Sequence, residues 1–263
     1  SGVYQENVVL DKNVSIVGEG KEITILEAAV TGHTLKLYKL HDCTISNVTI
    51  RGAKGTGNDN IYLDECNNIT IRYCSIEGSE SSDGITLYRC SFVSITNCAI
   101  TNNKQGNGVF LIYSSNCLIT DNNISGNQVG IFLQYQSCNN TIARNIIKEN
   151  VYIGVRISAS GTPLYSPSDN IIYENTFKLN GQNAEDTTDS LNMWCNPETK
   201  RGNYWDDYQG EDTDHDGIGD TPYPIPGGNN QDMYVLGFFQ GSSSPQNEKP
   251  IANAGGDYSG KVN

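Results

Sequence analysis

The chain has 263 residues, of which 37% are hydrophobic and 18% charged, and its 17 basic and 30 acidic side chains give a net charge of −13. This acidity argues against nucleic acids and anionic membranes as partners, because phosphate groups require a basic surface. No apolar run approaches the roughly 18–20 residues of a membrane span. The chain opens at Ser1–Tyr4 without a leader peptide, which we interpret as a processed or excised form.

The N-terminal residues predict short β-strands. Three segments of three or four residues are rich in apolar side chains, and they occupy Asn7–Leu10, Val14–Val17 and Ile23–Leu26. Alternation with a period of two residues is typical of a strand with one buried face. We therefore expect a first, less regular coil of a repeating β-structure before residue 27.

From residue 45 onward, a six-residue pattern with an apolar residue at each end recurs along the chain. Its copies are Ile45–Ile50, Ile71–Ile76, Ile95–Ile100, Ile119–Ile124, Ile142–Ile147 and Ile172–Phe177. A second short strand follows in the segments Asn60–Leu63, Gly84–Leu87, Gly108–Leu111, Gly130–Leu133 and Gly154–Ile157. Coils with a regular period and two or three short strands predict an all-β, right-handed parallel β-helix, a solenoid whose coils stack about 4.8 Å apart.

The wider spacing after Ile142 predicts an insertion around Ser158–Ser168, which would form a lip over one face of the solenoid. A leucine-rich repeat does not fit, because the repeat has no segment compatible with a helical convex side.

Six of the eight cysteines fall into columns when the coils are aligned. The columns are Cys43 with Cys117, Cys66 with Cys90, and Cys74 with Cys98. Apolar residues occupy equivalent positions in other coils, so we interpret these cysteines as small hydrophobic side chains of the core. Disulfides between coils stay an alternative, although stacked Cβ vectors suit the disulfide dihedral poorly. No C-x-x-C pair points to a metal site.

An acidic loop near the C-terminus is the most specific chemical motif. Asp212, Asp214, Asp216 and Asp220 hold the first, third, fifth and ninth positions, and Gly217 holds the sixth. This spacing matches the first part of a calcium-binding loop. Oxygen-only ligands select Ca²⁺ over softer metals. We therefore predict Ca²⁺ as a cofactor.

The loop departs from the EF-hand pattern in ways that predict its context. The twelfth position is Tyr223 and not Glu, and the nearby prolines Pro222, Pro224 and Pro226 exclude a flanking helix. We expect the Ile218 carbonyl to supply a main-chain ligand, and Asp232 or Asp206 to supply the missing carboxylate. The predicted structure is a calcium-binding segment that caps the C-terminal end of the solenoid.

The stretches Gly202–Tyr208 and Thr221–Tyr234, on either side of the acidic loop, resemble the closing segment of NosD-like β-helix proteins. These proteins belong to the carbohydrate-binding and sugar-hydrolase repeat group and occur in surface proteins of methanogenic archaea. The resemblance covers about residues 4–240. Pro250–Asn263 resembles the first strand of a PKD-type domain, after a linker at Gly241–Lys249. The resemblance implies an extracellular surface or S-layer protein, with a β-helix at 1–200, a calcium-binding closing segment at 201–240, and a truncated domain at 241–263.

One column of the second strand predicts a binding face. It consists of Tyr62, Thr86, Phe110, Phe132 and Arg156, with Tyr88, Tyr113 and Tyr135 nearby. Aromatic rings along stacked strands suit the C–H faces of sugars, so we predict that these residues bind a polysaccharide, a cell-envelope glycan or a neighbouring surface-protein chain. β-propensity alone also places Tyr and Phe in strands. An exposed stripe of this length would need a partner.

Three alternatives stay open. A polysaccharide lyase or glycosidase would use paired carboxylates, and Asp59 and Asp83 hold equivalent positions, with Arg156 as a further candidate. Asp-Gly before a strand is also ordinary turn chemistry. A purely architectural rod is compatible with the binding face. The copper-site maturation linked to the NosD name is disfavoured, because Met, His and Cys residues are few or scattered.

Overall fold

The structure is a computed structural model that describes residues 1–159, 165–188 and 191–237. It confirms the all-β parallel solenoid, with three short strands in each coil and no α-helix in the described ranges. Within them, no helix is long and apolar enough to cross a membrane. Part of the predicted insertion and all of the predicted linker and PKD-type strand lie outside the described residues.

Three parallel sheets form the sides of the solenoid. Sheet A contains β1 (Gly2–Gln5), β4 (Thr24–Glu27), β7 (Thr49–Arg51), β10 (Ser75–Glu77), β13 (Ala99–Thr101), β16 (Asn123–Ser125), β19 (Ile146–Lys148), β22 (Thr176–Lys178) and β24 (Tyr204–Trp205). Sheet B contains β2 (Val8–Leu10), β5 (Leu35–Tyr38), β8 (Ile61–Asp64), β11 (Ile85–Tyr88), β14 (Asn107–Ile112), β17 (Val129–Gln134), β20 (Ile153–Ser158) and β23 (Gln182–Asp186).

Sheet C contains β3 (Ile16–Val17), β6 (His41–Ser46), β9 (Asn67–Arg72), β12 (Ser94–Thr96), β15 (Leu118–Thr120), β18 (Thr141–Ala143) and β21 (Ile171–Tyr173). A separate antiparallel pair, β25 (Tyr223–Pro224) and β26 (Gln231–Asp232), lies in the closing segment. Because β24 pairs with β22, sheet A continues past residue 200, the predicted end of the β-helix.

Residues in the left-handed conformation turn the chain at the corners between sheets. The corner between sheets B and C uses a non-glycine residue with φ of 52–55° in five successive coils, at Lys39, Glu65, Arg89, Tyr113 and Tyr135. This conformation is unfavourable for residues with a Cβ. Hydrogen bonds between coils offset that cost, as in the bond from Glu65 N–H to the Tyr88 carbonyl (2.9 Å). The side chains at this corner therefore stack outside the solenoid.

Columns of aliphatic residues fill the interior. In sheet B, one inward column holds Leu37, Leu63, Leu87, Leu111, Leu133 and Ile157, all fully buried. All eight cysteines are free, and seven of them are buried. The prediction that the aligned cysteines act as small core side chains is confirmed, and the disulfide alternative is wrong.

Asparagine side chains form ladders just inside the corners. In the ladder Asn122–Asn145–Asn175–Asn203, each side-chain oxygen accepts hydrogen bonds from both the backbone N–H and the amide of the preceding asparagine. A second ladder runs Asn140–Asn170–Asn192, and a third runs Asn103–Asn127–Asn150–Asn180. These bonds satisfy buried polar groups that would otherwise be costly.

The first two ladders end on aspartate at the C-terminal end of the solenoid. A carboxylate only accepts hydrogen bonds, so it can terminate a chain of donors without requiring a further partner. Asp232 ends the first ladder, and its Oδ2 accepts from Asn203 N–H (2.6 Å) and from the indole N–H of Trp205 (2.9 Å). Asp186 ends the second ladder at Asn192.

Aromatic rings close the same end. Trp205 stacks between Phe177 and Tyr223, with ring centroids 4.3 and 4.2 Å apart. The end of the solenoid is therefore closed by apolar stacking and carboxylate acceptors.

Candidate functional site

The predicted column on sheet B exists in the structure. Strand pairing places Tyr62, Thr86, Phe110, Phe132 and Arg156 side by side on consecutive strands. We call six rings of this side of the solenoid the aromatic face: Tyr62, Tyr88, Phe110, Tyr113, Phe132 and Tyr135. They belong to four consecutive coils.

The rings of the aromatic face stack on one another. Phe110 and Phe132 have centroids 4.9 Å apart and planes 10° apart, and Tyr113 and Tyr135 stack at 4.8 Å and 18°. All six rings are half-buried. The surface therefore presents partly exposed ring edges and faces, in two stacked pairs with Tyr62 and Tyr88 beside them.

Arg156 closes one end of the aromatic face. Its guanidinium carbon lies 5.3 Å from the centre of the Phe132 ring, and its Nε lies 2.7 Å from a carboxylate oxygen of Glu185. Four strand spacings of about 4.8 Å separate its position from that of Tyr62, or about 19 Å. Arg156, the further catalytic candidate, therefore lies three to four coils away from Asp83 and Asp59.

Asp59 and Asp83 lie one coil apart, as predicted, and both are buried. Asp59 Oδ1 accepts from Ser82 Oγ (2.6 Å) and from Asp83 N–H (3.0 Å). Asp83 Oδ1 accepts from the backbone N–H (2.6 Å) and the amide (2.8 Å) of Asn107. Each carboxyl group thus caps the backbone of the following coil, in the manner of the asparagine ladders.

Burial governs the ionisation of this carboxyl pair. Desolvation raises the pKa of Asp59, although its hydrogen bonds partly oppose the effect. Desolvation, together with the charge of Asp59, raises the pKa of Asp83 to about 7. The pair therefore carries less than two full negative charges near neutral pH.

His33 and Lys36, which the sequence pattern did not single out, lie at the Tyr62 end of the aromatic face. The His33 ring stacks on Tyr62 with centroids 4.6 Å apart, and its Nδ1 accepts from Asp59 N–H (2.8 Å). Burial lowers the pKa of His33, and the positive charge of Lys36 lowers it further. The Lys36 ammonium lies 5.3 Å from the centre of the Tyr62 ring. Strand β5 carries Lys36 in the same outward column as Tyr62, a register that the irregular first coil obscured.

The acidic loop brings three of its predicted ligands together. One ligand atom from each of Asp212, Asp214 and Asp216 lies within 4.8 Å of the others. Asp212 also accepts hydrogen bonds from the N–H groups of Asp216 (3.1 Å) and Gly217 (3.0 Å). Ile218 pairs with Leu236 in a β-bridge, which ties the loop to the closing segment.

Two of the predicted carboxylate ligands are engaged elsewhere. Asp220 Oδ2 accepts from the hydroxyl (2.6 Å) and the N–H (3.0 Å) of Thr213. Asp232 is completely buried beneath the closing segment, where Asn203, Trp205 and Tyr234 donate to its two oxygens. The structure therefore assigns Asp232 to the asparagine ladder and not to the metal group. The alternative, Asp206, caps Leu179 N–H and Asn183.

The sequence profile of the NosD family, described as "Periplasmic copper-binding protein", matches residues 1–210. This chain belongs to the NosD family. No curated protein matches it.

Several solved structures share the β-helical fold with this NosD-family chain. The periplasmic alginate epimerase AlgG is 22% identical, with a TM-score of 0.48, and the match covers 62% of this chain and 35% of that one. The Dettilon tailspike protein is 15% identical with a TM-score of 0.49, covering 74% and 48%. The A-module of the Azotobacter vinelandii mannuronan C-5 epimerase AlgE6 is 13% identical with a TM-score of 0.34, covering 75% and 79%. The chain spans about a third to a half of the first two, and the likeness concerns the fold alone.

The family description names copper, but the donors of this chain do not fit that metal. In the described residues, the one group of three His, Cys, Asp or Glu side chains is Asp212, Asp214 and Asp216, which offers only oxygen. Copper in proteins prefers imidazole and sulfur ligands. The His33 Nδ1 is occupied by a backbone N–H, and burial raises the pKa of the Cys195 thiol. No part of the function proposed below involves copper.

Proposed function

We propose that this NosD-family chain is a β-helical module that works outside the cytoplasm, binds glycans on its aromatic face, and is stabilised by Ca²⁺ in the acidic loop. The observation that carries the glycan proposal is the placement of six aromatic rings on one side of four consecutive coils. Rings of a rigid scaffold bind the apolar C–H faces of sugars with little loss of side-chain entropy. The hydroxyls and amides of neighbouring outward positions can bond the sugar hydroxyls.

The proposal is one of binding and not of turnover. Backbone and side-chain hydrogen bonds already account for the carboxyl groups of Asp59 and Asp83 as caps of the neighbouring coil. Arg156, the third residue of the predicted catalytic group, lies about four coils away. A rod that spaces neighbouring domains is compatible with the same surface and would show no glycan affinity.

Removing two rings of the aromatic face should weaken glycan binding. We expect Phe110→Ala combined with Phe132→Ala to raise the dissociation constant by roughly tenfold or more, because each ring contact contributes about 1 kcal/mol. The measurement is isothermal titration with the glycans selected on an array. The matched control is Phe92→Ala, which removes an exposed ring next to sheet C. Equal affinities for the wild type and both variants would contradict the proposal.

Calcium is the ion that best suits the acidic loop. Three carboxylates converge within 4.8 Å of one another, and nearby main-chain carbonyls can add oxygen ligands. The bridge between Ile218 and Leu236 connects this loop to the segment that covers Trp205 and Asp232. We therefore infer that bound Ca²⁺ holds the closing segment against the end of the solenoid.

Calcium removal should lower the melting temperature. At a free Ca²⁺ concentration of 100 times the dissociation constant, binding to the folded state alone adds about 2.7 kcal/mol, or roughly 5–10 °C for a chain of this size. We expect EDTA to abolish this increment in the wild type, and Asp212→Asn with Asp216→Asn to remove the response to Ca²⁺. Asp11→Asn, at an exposed position far from the loop in sequence, should keep the response. A wild-type melting temperature that changes with neither Ca²⁺ nor EDTA would refute the inference.

A further inference from the structure

Three hydrogen-bond donors lie at one end of the aromatic face. They are the Lys36 ammonium, the free ring N–H of His33 and the Tyr62 hydroxyl, and none of them has an acceptor among the described residues. The Lys36 nitrogen is 5.3 Å from the centre of the Tyr62 ring, and the His33 ring stacks on that ring with centroids 4.6 Å apart. We propose that this end is a subsite for the anionic group of an acidic sugar, a carboxylate or a sulfate. The inference rests on the glycan-binding role proposed above.

The hydrogen bond at Nδ1 of His33 determines which of its ring nitrogens can bind a ligand. Its Nδ1 accepts from the backbone N–H of Asp59 at 2.8 Å, so the neutral ring carries its proton on Nε2. Burial and Lys36 keep the pKa of this imidazole low, which favours the neutral form. His33 therefore presents an N–H donor beside the ammonium group and cannot accept a proton at Nε2.

The charges around this subsite permit an anion despite the net charge of the chain. Asp59 and Asp83 are buried carboxyl groups at this end, and desolvation raises the pKa of both. Because the pKa of Asp83 is about 7, the negative charge of the pair is reduced near neutral pH. Asp64 lies on the next outward position of strand β8 and remains a source of repulsion. Tyr38 and Tyr88 flank the cluster.

The other charged groups of this corner are already paired. Lys39 and Arg89 both pair with Glu65, at 3.5 and 3.7 Å. Together with Glu65 they carry one net positive charge, which does not oppose an anion at the subsite.

The two ends of the aromatic face differ in the net charge that they present to a ligand, and this difference would orient an acidic ligand. Lys36 lies over Tyr62 and Arg156 lies over Phe132, so each end places a cation on a ring. Glu185 neutralises Arg156 at 2.7 Å, whereas Lys36 has no carboxylate within ion-pair distance in the described ranges. An acidic group on the ligand therefore gains more at the Lys36 end.

The test compares one sugar backbone with and without its charge. The ligands are oligogalacturonate, its fully methyl-esterified form and a sulfated galactan oligosaccharide, titrated against the full chain. We expect the wild type to bind one or both anionic ligands about tenfold or more tightly than the ester, because a charge-assisted hydrogen bond to Lys36 is lost with the charge. Lys36→Gln should remove that difference.

The matched control is Lys178→Gln, an exposed lysine on a strand of sheet A. It should leave every affinity unchanged. As the pH falls from 8 to 6, the affinity for the anionic ligands should rise, since Asp83, whose pKa is about 7, takes up a proton and repels them less, while the affinity for the ester stays constant.

The possible outcomes separate the subsite from the glycan proposal. If the acid and the ester bind equally well, and Lys36→Gln changes neither, the anionic subsite is refuted while glycan binding stands. If none of the three ligands binds, both proposals fail. Selective binding of the oligogalacturonate identifies a carboxylate, and selective binding of the galactan identifies a sulfate.

Discussion

Replacing Asn145 with alanine should lower the free energy of unfolding by about 3–5 kcal/mol. Asn145 is fully buried in the middle of a ladder, and its oxygen accepts from Asn122 N–H and from the Asn122 amide, both at 3.0 Å. Its amide donates to the Ile119 carbonyl (2.8 Å) and to Asn175 Oδ1 (2.9 Å). Truncation removes the acceptor of two Asn122 donors and the amide that bonds the Ile119 carbonyl, while Asn175 Oδ1 still accepts from the backbone N–H of residue 145. Each buried group left unsatisfied costs about 1–3 kcal/mol. A water molecule in the vacated space would recover part of this loss, which sets the lower end of the range.

Urea unfolding followed by circular dichroism measures this loss through the midpoint and slope. The matched control is Asn123→Ala, because Asn123 is the next residue and is exposed on strand β16. Its effect should stay within about 0.5 kcal/mol, the range of ordinary surface substitutions. An Asn145→Ala protein within 1 kcal/mol of the wild type would show that the ladder contributes little to stability.

The repeat made the fold predictable. Each coil has the same inward column, so residues such as Leu63, Leu87 and Leu111 align by sequence spacing and then stack in the structure. The same type of side chain recurs at the same position of several coils. This repetition makes the strands recognisable, although each strand is only three or four residues long and has a weak sequence pattern by itself. The same alignment identified the cysteine columns and the outward column from Tyr62 to Arg156.

Where the sequence departs from the repeat, the contacts between coils could not be predicted from the spacing of residues along the chain. Asn203 and Asp232 are 29 residues apart in the sequence, and Asp232 lies in a closing segment that has no repeat. From the sequence alone Asp232 was a candidate metal ligand. In the structure its carboxylate ends an asparagine ladder. Lys36 and His33 lie in a coil whose sequence departs from the pattern. Arg156 shares a column with Tyr62 but lies four coils further along the axis, so a shared column does not by itself bring two side chains into contact.

The largest effect of pH on stability should come from Asp83. Its pKa is about 7 in the folded protein, against about 3.9 for an unperturbed aspartate. A carboxyl group with a raised folded-state pKa binds its proton more tightly in the folded chain, so its contribution to stability is complete below pH 4 and is lost as pH rises towards 7. Three pKa units correspond to about 4 kcal/mol.

Asp83→Asn should therefore stabilise the protein at high pH. Asparagine can keep the acceptor that bonds Asn107 and can donate to the Thr86 hydroxyl, which now donates to Asp83 Oδ2 at 3.1 Å. Relative to the wild type, we expect the variant to be about equally stable at pH 4 and more stable by about 2–4 kcal/mol at pH 8, measured by urea unfolding across that range. Asp64→Asn is the matched control, since it removes a half-exposed carboxylate that is not desolvated. A stability difference between Asp83→Asn and the wild type that stays constant from pH 4 to pH 8 would mean that Asp83 is ionised throughout, and the carboxyl pair beneath the Lys36 subsite would then carry its full negative charge.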